Sequence, residues 1–286
     1  MNTAERDALP AHERREQMAS MLRERGFVRV IELAETFGVS GVTARTDLDS
    51  LVEARRAERV HGGAVPLGQL ASERPFEIEL GESVIPKQQI GHRAAALVQS
   101  GQSILLDVGT TTLAVARALK ARKDLVDLVI VTNGLSIALE LESEIPRFTV
   151  IVTGGALRPL QHSLVDPLAD LVLSRVHADI AFIGCNGIDA QGGVTNINLP
   201  EAAVKARMVA SSERAVLVAD SSKFGWLQLG KIAELDAFDT LVTDAASAVA
   251  LSSPLCAGLD TALAQAGVTV LIAADPSGDA GPAGRS

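Results

Sequence analysis

The sequence predicts an α/β protein in two parts: a small three-helix N-terminal domain and a larger domain built on a mainly parallel sheet. Three observations predict it. The first 54 residues carry three short stretches with apolar residues at helical spacing. From residue 103 onward, near-continuous apolar runs alternate with helix-patterned stretches, as in parallel sheets covered on both faces. Between them lies a segment of mixed charge with prolines and glycines, "PLGQLASERPFEIELGESVIP". The expected divisions are residues 1–68, a connection over 69–86, a large domain over 87–275, and a tail over 276–286 of disordered composition.

A chain of 286 residues fits two domains, and 47% hydrophobic residues suffice for real cores. Aromatics are 3% with no tyrosine, which argues against a base-stacking platform for single strands. The net charge of −9 argues against a globally basic coat. In the first seventy residues acids nearly balance bases, and every base is arginine. Contact with nucleic acid must therefore come from arginines set on one face. Neither the two cysteines nor the five histidines have metal-ligand spacing, so no metal and no cofactor is expected. The charged start "ERDALPAHERREQ" lacks an apolar signal core, and no run approaches membrane-spanning length. A soluble cytoplasmic protein, with no membrane partner, is expected.

The first helix is "AHERREQMASMLRERG", with Met18, Met21 and Leu22 on one face and Gly26 closing it. The second, "VIELAETFG", is expected to bury Ile31, Leu33 or Ala34, and Phe37. Ser40 caps the third, about 41–54, whose inward residues are Ala44, Leu48, Leu51 and Val52. A short helix, a glycine-containing turn and a Ser-capped helix form a helix-turn-helix, whose second helix enters the DNA major groove. Gly41, Val42, Thr43, Arg45 and Thr46 would face base edges, with arginine able to grip guanine in bidentate fashion. Ser40 and Thr43 suit phosphate oxygens. "EARRAERVHGGAV" then reads as a small β-wing carrying Arg55, Arg56 and Arg59.

In the large domain, "KQQIGHRAAALVQSG" is an amphipathic helix with Ile90, Ala94, Leu97 and Val98 inward. Seven strands follow: "SILLDV", "LVIVTN", "FTVIVTGG", "ADIAFIGCNG", "RAVLVADSS", "DTLVTD" and "VTVLIAA". Parallel sheets bind ligands at the carboxyl ends of their strands. Five ends carry Asp107-Val-Gly109-Thr110-Thr111-Thr112, Thr132-Asn133-Gly134, Thr153-Gly154-Gly155, Gly184-Cys-Asn186-Gly187-Ile-Asp189 and Asp220-Ser-Ser-Lys223. Small residues let backbone N–H groups approach an anion, hydroxyls add donors, and Lys223 adds a point charge. The acids and Asn133 suit sugar hydroxyls. The G-x-G-x-x-G and P-loop patterns are absent.

"VSGVTARTDLDSL…RVHGGAV" resembles the N-terminal winged helix-turn-helix of the DeoR family of bacterial transcriptional regulators. Val39, Ser40, Thr43, Arg45, Asp47, Leu48, His61, Gly62, Gly63 and Ala64 match its pattern. Ala44 replaces a larger aliphatic residue, Thr46 replaces a basic one, and the usual glycine before the wing is absent. "LDVGTTT", "VTNG", "VTGG", "DIAFIGCNGID", "GGVTN…EAAVKARM" and "ADSSKFG" resemble the family's effector domain in order, with Asp166 at a position usually glycine.

The resemblance implies a ribose-5-phosphate isomerase-like fold, His61 in the DNA contact, and a phosphorylated sugar or polyol as effector. It brings Glu201 and Lys205 into the ligand set and places the phosphate near Gly109–Thr112 and Lys223. It also implies duplex operator DNA as partner, a homodimer or homotetramer, and a repressor of carbohydrate genes released by its effector. The isomerase relatives need a carboxylate base. Their first motif acid meets Asn186 here and their lysine meets Ala190–Gln191; only Glu201 stands where their catalytic glutamate would, so no catalytic residue is expected. The alternatives are a sugar-phosphate isomerase-like enzyme with an appended DNA-binding domain, and an architectural DNA binder with a vestigial pocket.

Overall fold

The computed structural model describes residues 9–25, 28–54, 56–60, 63–66, 73–253 and 256–273. The chain forms two compact units, Met1–Arg74 and Pro75–Ser286. The second half of the expected connection therefore belongs to the larger unit, where it forms helices. Arg55, His61, Gly62 and the tail at 276–286 lie outside the described residues.

The smaller unit runs α1 (Ala11–Arg25), β1 (Val28–Arg29), α2 (Val30–Phe37), α3 (Gly41–Glu53), β2 (Ala57–Val60) and β3 (Gly63–Pro66). Its strands form an antiparallel sheet in the order β1-β3-β2. Met18, Leu22, Val28, Leu33, Leu48 and Leu51 make one core. One expectation is corrected: Ile31 is 65% exposed and Val30 is buried instead. Val30, Leu33, Ala34 and Phe37 keep the i, i+3, i+4, i+7 spacing of one helix face, and Ile31 falls off it. Beneath that core, Arg14 Nε donates to Asp47 Oδ2 at 2.6 Å and both residues are buried, tying α1 to α3.

The larger unit opens with α4 (Phe76–Leu80) and α5 (Val84–Ala95). The order continues β4 (Ser103–Leu106), α6 (Thr110–Ala121), β5 (Leu128–Thr132), α7 (Leu135–Leu141), β6 (Phe148–Val152), β7 (Ala156–Arg158), β8 (Ser163–Val165) and α8 (Leu168–Leu173). It ends β9 (Ala178–Ile183), β10 (Gly187–Asp189), β11 (Gly193–Asn196), α9 (Leu199–Ala210), β12 (Ser212–Val218), β13 (Gly230–Ala233), β14 (Thr240–Asp244), α10 (Ser247–Leu251), α11 (Leu259–Gln265) and β15 (Thr269–Ala273).

The seven apolar runs become one sheet in the order β15-β14-β12-β9-β4-β5-β6, every neighbouring pair parallel. Strand residues alternate between two cores. Leu105, Ala181, Ile183 and Leu217 face one side, with Ala169 of α8, Met208 of α9 and Leu263 of α11. Ile104, Leu106, Phe182 and Val218 face the other, with Ile90 of α5, Leu113 of α6 and Ile137 of α7. α5 stops at Ala95, so Leu97 lies beyond the helix and is only partly buried, while Val98 is buried as expected. Gly91 lets α5 close on α6, for a Cβ there would stand 2.5 Å from the Ala114 carbonyl oxygen. Two small antiparallel additions, β7-β8 and β10-β11-β13, were not anticipated.

Candidate functional site

On the smaller unit, α3 presents one face outward. Ser40 caps it, accepting from the Thr43 amide at 3.0 Å, and its hydroxyl pairs with Thr43 Oγ1 at 2.8 Å. Val42 is 70% exposed, and Arg45 and Thr46 are exposed beside it, while Ala44, Asp47, Leu48 and Leu51 turn inward. The Arg45 guanidinium has no hydrogen-bond or ion-pair partner among the described residues, so it is available. Thr46 Oγ1 donates to the Val42 carbonyl at 3.1 Å. Of the wing arginines, Arg56 forms a bidentate pair with Glu16 at 2.5 and 2.8 Å, and Arg59 pairs with Asp49 at 3.1 Å. Such exposed pairs are worth about 0–1 kcal/mol, little enough for a phosphate to displace the carboxylate.

In the larger unit every strand of the main sheet is parallel, so all carboxyl ends lie along one edge. The strand order reverses between β4 and β9, the switch point where a crevice opens in such sheets. Lys205 on α9 spans that point. Its Nζ forms an ion pair with Asp107 Oδ2 and donates to the Gly184 carbonyl at 3.2 Å, while the Gly184 amide donates to the same Asp107 oxygen at 3.0 Å. Asp107 is fully buried and Lys205 nearly so. Burial pushes the Asp107 carboxyl up to about 6 against the pull of Lys205, and Asp107 holds the Lys205 ammonium above its usual range despite burial. Asp107 Oδ1 is buried without a hydrogen-bond partner among the described residues.

The raised value fixes a pH dependence. The folded chain holds an extra proton on Asp107 between the ordinary 3.8 and about 6. That contribution to stability is full below the window and is lost as pH rises through it, by up to about 1.4 kcal/mol per pH unit. Urea midpoints at pH 4.5 and 6.5 should differ less for Asp107→Asn than for the unaltered chain; equal differences would refute the assignment.

Four residues along α9, Glu201 faces the same side as Lys205, as the i, i+4 spacing requires. Asn198 caps that helix, accepting from the Glu201 amide at 3.1 Å. Arg158 and Ser163, from β7 and β8, both donate to Glu201 Oε1, and Asn196 Nδ2 reaches Oε2 at 3.4 Å. Both carboxylate oxygens are thus engaged from within the chain.

The structure sorts the expected ligand residues into a frame and a rim. Thr132 Oγ1 accepts from the Gly134 amide at 3.0 Å. Asn133 accepts from the Val108 amide at 3.0 Å and donates to the Leu164 carbonyl at 3.3 Å. Both residues are fully buried and hold neighbouring loops. Asp189 Oδ1 closes a turn on the amides of Gln191 and Gly192, and Gly187 packs under the Trp226 carbonyl, where a Cβ would stand 2.2 Å away. Gly155, at φ 126°, lies against the Val165 carbonyl. These residues shape the edge. Gly109, Thr111, Gly154, Asn186 and Lys223 keep accessible surface there. Thr110 and Thr112 are buried in the first turn of α6, which no side chain caps, so its N–H groups can meet an anion. Asn186 Oδ1 accepts from the Ile197 amide at 3.0 Å.

The Lys223 ammonium makes no hydrogen bond or ion pair with any described residue. The charges of Lys223 and Lys205 both act on the Cys185 thiol. Burial pushes that thiol up to about 12, against the pull of both lysines, which disfavours its thiolate. A third cation was missed in the sequence. Lys87, in the first turn of α5, is buried, and its Nζ donates to the Glu79 carbonyl at 2.7 Å. Burial lowers its pKa, Asp220 opposes that, and Lys223 adds to it, so Lys87 shares the Asp220–Lys223 neighbourhood. The signal was legible: Lys87 stands three residues before Ile90 on the apolar face of its helix. Among the described residues no cluster of His, Cys, Asp and Glu could hold a metal, and no helix is long and apolar enough to cross a membrane.

A winged helical head joined to an α/β unit with anion-receptive strand tips defines a DNA-binding transcriptional regulator with a sensor domain. The chain belongs to the DeoR family of such regulators. Residues 14–69 match the DeoR-like helix-turn-helix domain and residues 82–245 match the DeoR C terminal sensor domain. It is 35% identical to the putative aga operon transcriptional repressor of Escherichia coli O157:H7, over 81% of this chain and 86% of that one. It is 30% identical to the glycerol-3-phosphate regulon repressor of Escherichia coli K12, over 85% and 94%. A ribose 5-phosphate isomerase from Methanocaldococcus jannaschii overlays 48% of this chain and 52% of its own at 13% identity and a TM-score of 0.35, a likeness too loose to bear on chemistry.

Proposed function

We propose that this regulator represses carbohydrate genes and leaves its operator when a phosphorylated sugar or polyol occupies the strand-tip pocket. The phosphate lies at the start of α6 near Gly109–Thr112 and Lys223, with Lys87 close by, and Asn186 and Gly154 line the sugar side. The names of relatives that repress an aga operon and a glycerol-3-phosphate regulon support this ligand class. The operator is read by Gly41, Val42, Thr43, Arg45 and Thr46, with Ser40 and the wing arginines on the backbone. Duplex readers of this kind act as dimers on paired half-sites, so a homodimer or homotetramer working in the cytoplasm follows.

The observation that carries the sensing role is the state of the acids. Glu201 is gripped by Arg158, Ser163 and Asn196, and Asp107 by Lys205 and Gly184, so neither is a free base. General-base work contributes about 10²–10⁴-fold to rate. Here both Glu201 oxygens are engaged, and the one Asp107 oxygen without a partner is fully buried. We therefore read the chain as a binder and not an isomerase. A thermal-shift screen of phosphorylated sugars and polyols tests this, followed by product analysis of any hit: stabilisation without turnover supports it, and turnover overturns it. On the DNA side, Arg45→Ala should weaken binding to the chain's own promoter duplex by about 1–3 kcal/mol in an anisotropy titration, with loss of discrimination at one base position. Unchanged affinity would remove Arg45 from the contact.

A further inference from the structure

The β7–β8 hairpin has a grip at each end. Toward the pocket, Arg158 and Ser163 both hold Glu201 Oε1. Toward α4, the loop between the strands holds the start of the first helix after the unit boundary. The Phe76 amide donates to the Leu160 carbonyl at 2.9 Å, and the Phe76 ring lies 5.1 Å from the His162 ring. His162 Nε2 stands 3.1 Å from Glu77 Oε1, and its Nδ1 stands 2.9 Å from Ser136 Oγ. Phe76 is buried, and α4 begins two residues after Arg74, where the smaller unit ends. A three-residue, two-stranded ribbon has little stability of its own. β8 is tied to the segment after β5, the Leu164 amide donating to the Asn133 carbonyl at 2.8 Å and the Leu135 amide to the His162 carbonyl at 3.0 Å, so the half that answers to the Glu201 grip is β7 with Arg158.

We propose that this hairpin is the lever that carries pocket occupancy to α4, and through the connecting chain to the DNA-binding unit, with His162 as its coupling residue. The inference rests on the pocket reading above. An anion in the pocket competes with Glu201 for the Arg158 guanidinium. Once that grip loosens, β7 shifts against the anchored β8, and the turn at Leu160 releases the start of α4. The coupling runs through one contiguous set of contacts with a held and a released arrangement, which a physical route between sites requires. His162 touches no residue assigned to the ligand rim, so it acts by positioning.

Hydrogen exchange on the full chain tests this, with inorganic phosphate as probe and ionic strength matched by chloride. In the unaltered chain phosphate should slow exchange over residues 109–113 and speed exchange of the Phe76 amide. In His162→Ala the slowing at 109–113 should persist, while the Phe76 amide exchanges fast with or without phosphate. Protection at 109–113 with an unmoved Phe76 amide in the unaltered chain overturns the lever and leaves the pocket standing. A Phe76 amide in His162→Ala that still responds as in the unaltered chain also overturns it. No response at either place overturns the pocket reading and the lever together.

Discussion

Replacing Lys205 with methionine is expected to destabilise the larger unit by about 3–5 kcal/mol in urea unfolding, the range for breaking one partner of a buried ion pair. The reason is Asp107. It is fully buried, one oxygen already lacks a partner, and its other oxygen depends on Lys205 and the Gly184 amide. Without the ammonium, a carboxylate remains where water does not reach, or it takes up a proton at a cost. Adding Asp107→Asn to Lys205→Met should recover most of the loss, because an amide oxygen still accepts from Gly184 without a charge to compensate. A single variant as stable as the unaltered chain would mean that this pair does not hold the switch point together.

Lys223→Ala should weaken binding of the effector, once the screen identifies it, by about 10–100-fold, the worth of a hydrogen bond to a charged group. Operator affinity without effector should be unchanged. The Lys223 ammonium has no hydrogen-bond or ion-pair partner among the described residues, so its removal orphans none of them and the fold should keep its stability. Trp226, the only tryptophan, lies three residues further on, and its fluorescence gives a direct titration. A normal effector titration in this variant would remove Lys223 from the site.

The fold was largely legible because each decisive signal was local. Seven apolar runs interleaved with helical patterns are the seven parallel strands, and the Ser40 cap and the spacing of Ala44, Leu48 and Leu51 define α3. Strand order was not legible, since it depends on which helix crosses to which side. Ile31 was misplaced because a run of two apolar residues leaves the helix phase open until β1 fixes where α2 begins.

At the candidate site, the chosen residues fall along the carboxyl edge of the sheet, but their division of labour was not legible. Thr132, Asn133 and Asp189 have the chemistry of ligand contacts, and the structure turns them to backbone groups, Thr132 and Asp189 within their own loops and Asn133 to the neighbouring segments at Val108 and Leu164. Arg158, Ser163 and Asn196 gained importance only when folding set them around Glu201, since they lie between 5 and 43 residues away in sequence. The departures at Ala44 and Thr46 fall on opposite faces of α3. Ala44 is in the core, and Thr46 is exposed on the face assigned to DNA.

The most direct measurement is an equilibrium titration of a labelled duplex from the chain's own promoter with the full-length protein, at fixed salt, with and without each phosphorylated compound that stabilises it. Phosphate occupancy at the strand tips should lower affinity for the duplex, with the compound recovered unchanged. A stabilising compound that leaves duplex affinity where it was, or that is converted to another sugar, would contradict the reading of this pocket as a sensor.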